Sequence, residues 1–183
     1  MTDRHGDSGF RADYLWHGLP GHPIHPPLTD VTIGAYTFAL VAATADVIGV
    51  STNAATHAWW LGIVFGLIVT LGTALTGFVD WLRIPTGTPL WRTATAHMIA
   101  MLLASAVFLA TAIAGKDSFD AGNVETGPYV LTIVAFLLLT VGGWLGGSIV
   151  FTHGMRVLNL VDEPARKAAA PVPTPEKREA EGD

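Results

Sequence analysis

The stretch "GHPIHPPLTD" at positions 21–30 sets two histidines, His22 and His25, each before a proline, and closes on an aspartate just where the chain turns apolar. Three more residues of ligating type border apolar segments further on: Asp80 in "TGFVDWLR", His97 in "WRTATAHMIAM" and His153 in "GGSIVFTHGMRV". Imidazole nitrogens with one carboxylate suit Zn, Fe, Mn or Cu, and two imidazoles from facing helices are the axial pair that a b-type haem requires. The chain has no cysteine, which excludes thiolate zinc sites, cysteine-held iron–sulfur clusters, covalent c-type haem attachment and disulfides. Any bound metal is left to His, Met or carboxylate.

The elements that would position these residues follow from composition. Of 183 residues, 50% are hydrophobic and 14% charged, and the mean hydropathy is +0.45, the balance of a membrane protein. The formal net charge of −5 leaves no basic stripe for phosphates, which excludes a nucleic-acid partner. Four apolar segments, 31–50, 58–79, 94–114 and 129–151, are each long enough to cross a hydrocarbon core of about 30 Å as a helix. The expected fold is all-α, a polytopic four-helix transmembrane bundle over residues 21–160, whose first partner is the lipid bilayer. An N-terminal extension over 1–20 precedes it, and a Pro-, Ala- and charge-rich tail over 161–183 is expected to be disordered.

No cleavable signal peptide is visible in the polar, proline-rich first thirty residues. Arg4, Arg11, Arg83, Arg92, Arg156, Arg166, Lys167, Lys177 and Arg178 all fall on one side of such a bundle, and Lys116 alone on the other. The positive-inside rule then predicts a plasma (inner) membrane protein with both termini in the cytoplasm. "STNAAT" and "GKDSFDAGNVETGP" read as polar connectors. Asp46, the one acid within a span, is expected at the headgroups, and Trp59, Trp60, Trp81 and Trp91 are expected in interfacial aromatic belts. No internal repeat is legible.

On this topology His22, His25, Asp80, His97 and His153 share the cytoplasmic end, whereas His57 lies at the other end and His5 and His17 in the extension. The prolines push His22 and His25 into a segment that cannot continue a helix, a candidate cap across the bundle. His97, inside the apolar boundary, needs a ligand or a hydrogen bond, since an unsatisfied buried imidazole is costly. The pairs Gly142/Gly146, Gly143/Gly147 and Gly62/Gly66 permit close approach of a backbone or a flat cofactor.

The run "GHPIHPPLTD", with "GFVDW", "AHMIAM" and "GGWLGGSIVFTHGMRV", resembles the bacterial transmembrane family catalogued as domain of unknown function 2231, over roughly residues 20 to 160. The resemblance implies a small multi-span membrane domain without an assigned activity. Relatives joined to Rieske-type or other redox domains point to electron transfer, although this chain has no cysteine and hence no Rieske module.

Three functions fit these residues. The first is a b-type haem electron carrier with His97 and His153 as axial ligands, His22 or His25 as propionate partner or alternate ligand, and redox proteins or quinone as partners. The second is a non-haem metal centre of His22, His25, Asp80, His97 and His153. The third is a cofactor-free scaffold or accessory subunit, open to homo-oligomerisation, in which the histidines form a hydrogen-bonded network. No nucleophile or general-base motif points to an enzyme.

Overall fold

The computed structural model describes residues 23–155, together with Gly18 and Val157. The helices are α1 (His25–Val47), α2 (Thr52–Trp81), α3 (Pro89–Ala114), α4 (Lys116–Ala121) and α5 (Thr126–Phe151), and no strand occurs among the described residues. All but α4 are long and apolar enough to cross a membrane, so the bundle is the expected one of four spans. The extension and tail expected over 1–20 and 161–183 lie, apart from Gly18, outside the described residues.

One expectation changes at the helix ends. The proline elbow is not a separate cap: Pro26 and Pro27 occupy the first turn of α1, which begins at His25. Proline suits that position because its missing N–H has no intrahelical acceptor there and its φ is already helical. The polar connector after α3 holds a short helix that its composition alone does not specify. It folds into α4, where Lys116 pairs with Asp120 one turn on, and Gly122, at φ 74°, ends the helix in the left-handed region that glycine enters without penalty.

The spans pack as two antiparallel hairpins, α1 on α2 and α3 on α5, with smaller contacts of α2 on α3 and α1 on α5. Small residues set the closeness within each. A Cβ on Gly62 would lie 3.3 Å from that of Ala39, one on Gly66 would enter the Tyr36 ring, and one on Gly142 would strike Met101. Gly62, Gly66 and Gly142 are thus seats for neighbouring helices, the usual role of such residues in membranes. Where the hairpins meet, Tyr36 and Phe108 stack with centroids 3.7 Å apart.

Trp59 and Asp46 depart from their expected interfacial places. Trp59 is wholly buried and its Nε1–H donates to Thr132 Oγ1, because the start of α2 faces α5 rather than lipid. Asp46 is buried as well: Oδ1 accepts from Thr56 Oγ1 and Oδ2 from the Val124 backbone N–H, both at 2.7 Å. Its carboxylate joins the end of α1, the start of α2 and the loop before α5. Large apolar side chains such as Leu71, Ile113 and Trp144 remain on the outer surface, where lipid would meet them.

Candidate histidine site at one end of the bundle

The end of the bundle holding the start of α1 and the end of α2 carries the polar groups of interest. His25 projects from the first turn of α1 onto α2, where its Nδ1 lies 3.0 Å from the Thr73 carbonyl oxygen and 3.3 Å from Thr76 Oγ1. The ring rests on Gly77, where an added Cβ would come within 2.6 Å of His25 Cε1. Threonines line this face of α2 because a hydroxyl can bond back to its own helix, as Thr73 and Thr76 do, and still serve a neighbour.

His97 repeats the arrangement on the other hairpin. Its Nδ1 lies 2.8 Å from the Gly142 carbonyl oxygen of α5, and its ring rests on Gly146, where a Cβ would be 3.2 Å from Cε1. A carbonyl only accepts, so in each neutral ring the proton sits on Nδ1 and Nε2 keeps its lone pair. Nε2 is then the nitrogen free to bind a metal, held in orientation by the carbonyl behind it. The two rings are half-buried. Asp80 itself is buried and partnered.

His153 takes a different course. It lies just past the end of α5, and its Nε2, the nitrogen an axial ligand would offer, is 3.1 Å from Thr93 Oγ1 of α3. His97 therefore meets α5 at Gly142 and Gly146, whereas His153 meets α3 one turn nearer the loop. His22 lies outside the described residues. Among the described residues, no group of three or more His, Asp or Glu is disposed to hold a metal ion. Beside the site, Asp80, Arg83, Ile84, Pro85, Leu90 and Met155 line an open recess of about 320 Å³.

The carbonyls of Thr73 and Gly142 were invisible to sequence reasoning, because a backbone acceptor has no residue signature. The threonine series 70, 73 and 76 on α2 was the one signal that a polar stripe faced α1.

The sequence profile of a family described as predicted membrane protein (DUF2231) matches residues 21–159, most of the chain. No curated protein and no solved structure matches it.

Proposed function

The chain belongs to the DUF2231 family of predicted membrane proteins, and on that premise we propose that it is a b-type haem electron carrier of the plasma membrane, with His25 and His97 as the axial ligands. One observation carries this reading: both half-buried imidazoles are fixed with Nδ1–H on a backbone carbonyl and the Nε2 lone pair left over. Two such nitrogens suffice for haem, whose macrocycle supplies the other ligands, but fall short of the three or four a non-haem site takes from protein. Bound haem would supply a one-electron couple. The chain's part is to hold the two imidazoles, shield them with apolar helices, and set the surrounding charge through Asp80. With the positive-inside orientation the site faces the cytoplasm, where a soluble redox protein or a quinone at the recess by Arg83 would exchange electrons.

The test is an absorption spectrum of detergent-purified protein from haem-supplied cells, oxidised and then reduced with dithionite. The expected result is a Soret band and a sharpened α-band, both lost in His25→Ala and His97→Ala and kept in His153→Ala. A protein that is folded and colourless refutes the assignment.

One observation favours a second reading, a cofactor-free membrane scaffold: no buried side-chain nitrogen or oxygen among the described residues lacks a hydrogen-bond partner. The histidines would then be polar ties, His25 between α1 and α2 and His97 between α3 and α5. A colourless protein destabilised by both alanine substitutions would establish it.

A further inference from the structure

The two hairpins resemble one another in chemistry as well as in shape. The interval from His25 to Thr32, Tyr36, Ala39 and Asp46 in the first recurs from His97 to Ala104, Phe108, Thr111 and Ser118 in the second, and these eight positions, four in each hairpin, are buried. On the return helices Trp59, Ile63, Gly66, Thr73 and Gly77 recur at the intervals of Pro128, Thr132, Ala135, Gly142 and Gly146. Helical periodicity alone would align buried positions, so the weight rests on matched interactions. His25 bonds the Thr73 carbonyl and rests on Gly77; His97 bonds the Gly142 carbonyl and rests on Gly146. At the far end Asp46 accepts from Thr56, and Ser118 accepts from the backbone N–H of Glu125, which stands where Thr56 does.

One pair locates the relation between the halves. Tyr36 and Phe108 occupy equivalent positions and stack on each other, 5° from parallel. Contact between equivalent residues of two halves is what a two-fold axis passing between them produces. Because α1 and α3 run in the same direction, that axis runs along the bundle, as in parallel-repeat membrane proteins. His25 and His97 each precede the stacked aromatic by about three helical turns, which returns them to the same stripe of their helices. The same stripe that brings the aromatics together on the axis therefore carries His25 and His97.

We propose that the membrane domain is a duplicated helical hairpin with a two-fold axis along the bundle, and that its ligand seat is shared across that axis, each half supplying one imidazole held by one carbonyl and one glycine. This rests on the haem reading for the identity of the ligand, which His25 and His97 would hold together, while the duplicated geometry stands without it. The halves have diverged at the seat: Asp80 and Thr76 beside His25 are matched by Ile149 and Leu145 on α5, so one imidazole has polar company and the other does not.

The chain lacks cysteine, so paired cysteines report proximity cleanly. A short bis-thiol reagent applied to the full-length protein in membranes should join Tyr36→Cys to Phe108→Cys and His25→Cys to His97→Cys within one chain. His25→Cys with His153→Cys should link at least tenfold more slowly. Linking at 36/108 without linking at 25/97 overturns the shared seat, since it reports a folded bundle whose histidines are apart. Failure at both pairs in a protein with wild-type helix content overturns the axis. A colourless wild-type protein that links at both pairs overturns the haem reading alone and leaves the duplication standing.

Discussion

Replacing Gly66 with alanine tests the packing at the centre of the bundle. The new Cβ would lie 2.5 Å from Tyr36 Cε1 and 2.8 Å from Cδ1, against about 3.5–4.0 Å for a relaxed carbon–carbon contact. The ring has no room to retreat, being 1% exposed and stacked on Phe108 at 3.7 Å. Overpacking of this kind costs about 1–3 kcal/mol, and a shifted ring strains the 3.0 Å bond between the Tyr36 hydroxyl and Thr70 Oγ1, worth about 1 kcal/mol. Alanine returns about 1 kcal/mol of helix propensity, so the net loss is about 1–3 kcal/mol. Gly34→Ala is the control, because a Cβ there meets nothing within 4 Å and only the propensity gain remains. Thermal unfolding in detergent, followed by far-UV circular dichroism, should therefore move the two variants in opposite directions. A Gly66→Ala protein as stable as the Gly34→Ala protein would refute the reasoning.

Three further outcomes are expected. Asp46→Ala removes the acceptor of both the Thr56 hydroxyl and the Val124 backbone N–H, leaving that N–H unsatisfied at a buried junction, and should cost about 1–3 kcal/mol in the same unfolding assay. Gly77→Ala and Gly146→Ala should each lower haem content measured by absorbance, Gly77→Ala more, because its Cβ would come 2.6 Å from the His25 ring against 3.2 Å for Gly146 and His97. A single cysteine at Lys116 should react with a membrane-impermeant maleimide in intact cells, while one at Thr86, in the loop after α2, should react only after lysis; the reverse pattern would invert the topology.

Some of the site was readable from residue types and some was not. The gathering of His25, Asp80 and His97 at one end followed from counting spans, since a residue's depth depends only on its distance along a helix. Their partners did not follow. His153 appeared matched to His97 by depth, yet it turns to Thr93, and His97 turns to a backbone carbonyl. Trp59 and Asp46 looked interfacial because both stand near span ends, and both are interior because of the side of the helix they occupy. The proposed repeat has no sequence signature for a related reason: the positions it equates hold Trp59 and Pro128, or Ile63 and Thr132, which differ in side chain.

The amino-acid sequence by itself determined the number of spans, their all-helical character and the concentration of imidazoles at one end. These are one-dimensional properties, because hydrocarbon thickness and backbone hydrogen bonding select helices of a given length and polarity. Only the tertiary structure decided which backbone carbonyl each of His25 and His97 meets, that His153 turns to Thr93, and that two hairpins face each other about Tyr36 and Phe108. Those outcomes depend on helix rotation and contact across the bundle, which arise from packing between segments distant in the chain.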